Sequence, residues 1–210
     1  MVETIARNFN AGGPFMWVIL MVLAVACAVV IERLIFYLIV CRGSAVGTVA
    51  KIAAALNRDD PKEAGRLVGS RRAPAMVLLR TAVERYTEGM RAGEIREAVE
   101  EAAIREMPRM TQRLNYLSLF ANIATLLGLL GTIAGLQVSF TSLASVEATK
   151  KAAMLAQGIS QAMNTTAFGL IVAVPCMVCY TLLNNMQRER VKDLDEAVVR
   201  LLNYFKKKLS

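Results

Sequence analysis

A chain of 210 residues that is 55% hydrophobic and only 20% charged, with positive mean hydropathy, is too apolar for an ordinary soluble domain. Its net charge of +8 has no accompanying stretch in which aromatics alternate with Lys or Arg, which leaves a nucleic-acid stacking surface without support. Histidine is absent, removing the commonest general base and zinc ligand together, so neither an enzyme nor a metal site is expected.

Residues 1–14 form a short polar lead, followed by a first span over residues 15–41 with Trp17 as an interfacial anchor. The lead has Arg7 as its only basic residue and shows no small-residue cleavage site, so an uncleaved transmembrane helix is expected rather than a signal peptide. Glu32-Arg33 interrupts the apolar run near its end. The pair reads first as a snorkelling pair at the interface and second as a subunit contact.

Residues 42–113 are expected to be a helical cytoplasmic region. Asp60-Pro61 gives an N-cap followed by proline at the first helical position, and Gly69 a stop. Pro74 opens another helix. From Gly93 onward Ile95, Val99, Ala102 and Met110 recur at helical spacing. No break other than Pro108 separates this segment from the apolar run that follows, so one helix is expected to continue from cytoplasm into membrane. Glu94, Glu97, Glu100 and Glu101, with Arg91, Arg96 and Arg105 beside them, read as a solvated helix face.

From Leu114 to Val146 no side chain is charged, and from Ala152 to Gln187 again none is. About 20 apolar residues cross a bilayer as a helix, so residues 114–146 and 152–187 read as a transmembrane hairpin with a turn at 147–151. Asn115, Ser118, Asn122, Thr125, Thr132 and Ser139 recur at steps of three, four and seven, with Leu129 filling one beat, a single polar stripe that lipid would reject. Gly131 and Gly135, with Gly128 one turn earlier, make a small-residue face for close helix packing. In the second run Gln161, Asn164, Thr165 and Thr166 add neutral oxygens, fit either for interhelical hydrogen bonds or for the wall of an ion path. Cys176 and Cys179 lie in this apolar helix, Cys27 and Cys41 in or beside the first span, and all four read as inert thiols.

Residues 188–210 form an amphipathic C-terminal helix ending in Lys206-Lys207-Lys208. Its lysines are expected in water, with attraction to membrane lipids secondary. Lys and Arg outnumber Asp and Glu in both segments flanking the spans on one side. That places the C-terminus in the cytoplasm and the N-terminus in the periplasm.

The run Gly128-Leu-Leu-Gly131-Thr132-Ile-Ala-Gly135-Leu, and after it Gly158-Ile-Ser-Gln161-Ala-Met-Asn164-Thr165-Thr166-Ala-Phe-Gly169-Leu-Ile-Val-Ala-Val-Pro175, resemble the TolQ/ExbB/MotA proton-channel family, closest to its ExbB/TolQ branch. The Ile31-Glu32-Arg33-Leu34 ending of the first span is similar too. The resemblance implies an all-α integral membrane protein of the bacterial inner membrane with three long spans, forming a ring, by analogy a homopentamer. It also implies a single-span partner of the ExbD/TolR kind supplying a titratable Asp, and work on TonB-type import, Tol-type envelope maintenance or gliding. Family pore threonines fall on Thr132 and Thr166. Gln161 stands where the family pattern usually has Glu, which leaves H+ or Na+ as the transported ion; no cofactor is implied. Because both runs lack any acidic or basic side chain, their lining cannot itself trade protons. The alternative is a non-conducting scaffold whose polar faces only mediate assembly.

Overall fold

The computed structural model describes residues 12–69, 72–143 and 147–209, and among them every regular element is helical. The first helix, α1, spans Phe15–Ile35 and passes into a five-residue π-helical segment, Phe36–Val40, closed by Cys41 N–H on the Phe36 carbonyl at 3.0 Å. Then come α2 (Ala45–Asn57), α3 (Pro61–Val68), α4 (Pro74–Thr87), α5 (Ala92–Thr111), α6 (Leu114–Leu143) and α7 (Ala148–Lys208). Three stretches are long and apolar enough to cross a membrane, one in each of α1, α6 and α7.

Local sequence explains most boundaries. Asp60 Oδ1 accepts from Glu63 N–H at 3.0 Å with Pro61 leading α3, and Gly69 stops it at φ +55°. Ser44 caps α2 by accepting from Gly47 N–H at 3.2 Å.

Three expectations are corrected. The turn expected at 147–151 is helical from Ala148 onward, the first residue of α7. The continuous helix expected from Gly93 into the charge-free run is broken: Gln112 is extended and Arg113 adopts φ +65°. Pro108, without an N–H, takes one bond out of the ladder in the final turns of α5, and the helix ends one turn later. Conversely, the third span and the C-terminal helix, read as separate segments meeting at 187/188, are one helix. Neither Gly nor Pro stands between Pro175 and Lys208 to interrupt it.

Among the described residues the chain forms two compact units, one from 12–31 and 113–182, the other from 32–112 and 183–209. In the first, α6 and α7 run antiparallel along seams of small residues. The α6 seam is Leu114, Leu117, Ala121, Ala124, Gly128, Gly131 and Gly135, with Ser139 at its end. The α7 seam is Gly158, Ala162, Thr165, Gly169, Val172 and Cys176, all buried at alternating steps of four and three. Both repeat near 3.5, the period of supercoiled helix pairs.

The second unit has its own core of Val49, Ile52 and Leu56 from α2, Leu79 and Val83 from α4, and Ile95 and Val99 from α5. The end of α7 contributes Leu194, Ala197, Leu201 and Phe205, the last stacked on Tyr86 with ring centroids 4.5 Å apart.

Candidate functional site: the polar faces of α6 and α7

The three glycines singled out for packing all lie in the α6 seam. A Cβ at Gly128 would meet Thr166 Cα at 3.3 Å and Gly169 Cα at 3.4 Å; one at Gly135 would meet the Ala162 backbone at 3.3 Å. Gly131 is filled by the Thr165 side chain, leaving no room for a Cβ. Their partners on α7, Gly158 and Gly169, were not picked out from the sequence. The signal was present, since Gly158, Ala162, Thr165 and Gly169 are small residues at heptad steps. A Cβ at Gly169 would stand only 2.7 Å from the Ala124 carbonyl oxygen.

The polar stripe does not coincide with this seam. Asn115, Ser118, Asn122, Thr125 and Thr132 each follow a buried seam residue by one position, which turns them about 100° around the helix. Asn115 and Asn122 are exposed and Thr132 is half-buried. Ser139 alone falls in the seam, donating to the Gly135 carbonyl at 2.9 Å and filling the space beside Gly158. Helix α6 therefore buries its small residues and leaves Asn115, Asn122 and Thr125 exposed, with Ser118 and Thr132 half-buried.

On α7 the candidate residues separate. Thr166 also sits one position past a seam residue, and in an antiparallel pair the positions following each seam fall on the same side. Thr132 and Thr166 thus share one face, and Thr166 Oγ1 donates across the pair to the Gly128 carbonyl at 3.1 Å. Thr132 Oγ1 donates within its own helix to the Leu129 carbonyl at 2.6 Å. Gln161 lies five residues from Thr166, about 140° around the helix, and Asn164 lies nearly opposite it. Gln161 packs instead against Gly13, at the entry to α1. Thr165 is fully buried and shares its one hydroxyl hydrogen between the Gly12 and Gln161 carbonyls, each at 2.9 Å. Of the five residues read together as one ion-path set, Thr132 lies on α6 and the other four occupy different sides of α7, with Thr165 enclosed by its own chain.

Glu32 and Arg33 also part company. Glu32 is exposed, 3.6 Å from the Arg33 guanidinium. Arg33 does not snorkel: it is 4% exposed, lies over the Phe36 ring and donates to the Arg109 carbonyl at 3.1 Å. A guanidinium there satisfies an orphan carbonyl in the last turn of α5. Tyr37 Oη does the same for Met110 at 2.7 Å. Sequence pattern gave no sign of this, because these partners lie more than seventy residues apart.

No cluster of metal-ligating side chains occurs among the described residues. Cys41 and Cys176 are buried, and all four cysteines are free thiols.

Comparison with known proteins gives a match between residues 70–196 and the model of the MotA/TolQ/ExbB proton channel family. A biopolymer transport protein ExbB homologue from Methanothermobacter thermautotrophicus is 26% identical over 202 residues, 96% of this chain and 70% of that protein. The biopolymer transport protein ExbB of Aquifex aeolicus is 30% identical over 121 residues, covering 57% of this chain and 78% of its own. The Tol-Pal system protein TolQ of Haemophilus influenzae is 33% identical over 88 residues, 41% of this chain and 38% of its own, so there the match spans well under half of the relative. The match to the family model takes in all of α6 and the larger part of α7, the elements that carry the seam and the stripe.

Proposed function

This chain belongs to the MotA/TolQ/ExbB proton channel family, a multi-pass membrane protein of its ExbB/TolQ branch, and from that premise we propose that it is the ion-channel and stator subunit of an energy-converting complex. A single-span partner of the ExbD/TolR kind enters a ring of copies and supplies the acidic side chain that α6 and α7 lack. Ion flow, H+ or Na+, then drives movement of the partner in the inner membrane, with the N-terminus periplasmic and the C-terminus cytoplasmic. One charge crossing 100 mV releases ~2.3 kcal/mol, enough to drive conformational work.

The observation that carries this reading is the offset between seam and stripe. The α6 seam packs one position away from Asn115, Ser118, Asn122 and Thr132, which stay exposed or half-buried, yet lipid would reject their amides and hydroxyls. Another chain or an aqueous path has to cover them, and Thr132 and Thr166 meet on that face. The lining is neutral, so it guides an ion without binding or releasing protons itself. Thr132→Val and Thr166→Val are expected to leave assembly intact and abolish ion flux and work output. Wild-type output from an assembled double variant would remove both residues from the mechanism.

A scaffold reading retains one observation in its favour: the hydroxyls of Thr132 and Thr166 both have acceptors inside the chain. It predicts no ion flux from the complete complex.

A further inference from the structure

We propose that Gln161 and Thr165 form the seat for the segment that leads into α1, and that Gln161 positions α1 on α7 rather than contacting the permeating ion. The inference stands on packing within one chain and does not depend on ion conduction.

Three observations converge on this seat. The buried Thr165 hydroxyl donates to the Gly12 carbonyl at 2.9 Å, a contact 153 residues apart in sequence. Its side chain meanwhile fills the notch at Gly131, so Thr165 joins the entry of α1 to both α6 and α7. Gly13 takes φ +77° and lies against the Gln161 side-chain nitrogen so closely that no Cβ would fit. Both reasons require glycine there. Met16, 2% exposed, closes over Gly12 with its Cγ 2.5 Å and Sδ 2.7 Å from where a Cβ would stand.

The first turn of α1 grows directly from this seat, Met16 N–H bonding to the Gly13 carbonyl at 3.2 Å and Trp17 N–H to the Pro14 carbonyl at 3.2 Å. The start of the first span is thereby tied to the side of α7 that lies about 100–140° around the helix from Thr166. A neutral amide suits position 161, because a carboxylate there would have to be desolvated beside the backbone of Gly12 and Gly13. The departure from the acidic residue usual in the family pattern then reflects a structural task.

Amide hydrogen exchange on the full chain in lipid nanodiscs, without any partner, tests the seat. In Thr165→Val, which keeps the shape and removes the donor, exchange over residues 12–17 is expected to rise about tenfold, the scale of one buried hydrogen bond. Thr165→Ser, which restores the donor, is expected to return it to the wild-type rate. Gly13→Ala is expected to match Thr165→Val, with α5 amides unchanged in all variants as the internal reference. Should Gly13→Ala fail to fold, the valine and serine pair still decides. Unchanged exchange in Thr165→Val, or serine exchanging as fast as valine, overturns the proposal. Neither result bears on conduction, which the Thr132 and Thr166 variants test separately.

Discussion

Gly169 and Gly65 show how differently two helical glycines can behave. At Gly169 a methyl group would be pushed against the Ala124 carbonyl at 2.7 Å, whereas at Gly65 on α3 nothing lies within 4 Å. Gly169→Ala is expected to destabilise the α6–α7 pair by about 1–3 kcal/mol through overpacking. Gly65→Ala is expected to stabilise α3 by about 0.5–1 kcal/mol, the conformational entropy of a helical glycine. Denaturant titrations of the two variants check the opposite signs. Glycines at helical spacing were legible on α6 because they form a compact motif. Their partners were not, because deciding which glycine meets which requires the register of two helices. The role of Thr165 was hidden for a related reason. A threonine that seals a three-way junction looks in sequence like one that faces a pore.

At the scale of elements, the structure turns one sequence pattern into two. The steps of three and four in α6 marked a polar stripe, and the same steps one residue earlier mark a buried seam. A cysteine scan in a background without the native thiols separates them. Positions 115, 118, 122 and 132 are expected to react with a water-soluble thiol reagent in the chain alone and to lose that reactivity when the partner is added. Leu126 and Ile133, exposed on the remaining face, should be reached only from lipid. Equal behaviour at all positions would contradict the assignment.

The unit of α2 to α5 and the end of α7 makes a second prediction at this scale. Asp193 on α7 caps α2 from outside it, its carboxylate accepting from Ala45 N–H at 2.7 Å and Ser44 Oγ at 3.0 Å. At the other end of α2, the Lys208 ammonium donates to the Leu56 carbonyl. Opposite charges thus sit at the two ends of the α2 dipole. Asp193→Ala is expected to cost about 1 kcal/mol, measured by denaturant unfolding.

On α5, the Arg91 guanidinium beside Glu94, together with the Arg91 N–H, holds that carboxyl below its ordinary value. A group lowered in the folded state stabilises it above the unfolded carboxylate range, roughly pH 4–5. That contribution disappears as pH falls through the folded value. Glu94→Gln is expected to flatten the acid limb of exchange protection in the first turn of α5. Arg91→Ala should bring the Glu94 titration back towards normal.

For the whole molecule, fold class and span number followed from length, charge placement and two charge-free runs, because the bilayer imposes them. Helix continuity was misread in both directions. A single Pro in an amphipathic segment marked the break near Arg113 only weakly. The change from apolar to charged residues at Gln187–Arg188 resembled a boundary although nothing stops a helix there. The tethering of Arg33 to Arg109 depends on how distant segments meet, which no local pattern records.

The central claim is that α6 and α7 provide a neutral wall for an ion path whose titrating group comes from another chain. Ion flux into sealed vesicles under an imposed membrane potential tests it most directly, comparing the chain alone with the chain and a single-span partner of the proposed kind. The account predicts no flux from the chain alone, flux with the partner present, and loss of that flux in Thr132→Val with Thr166→Val. The full flux of the complex from the chain alone would contradict it.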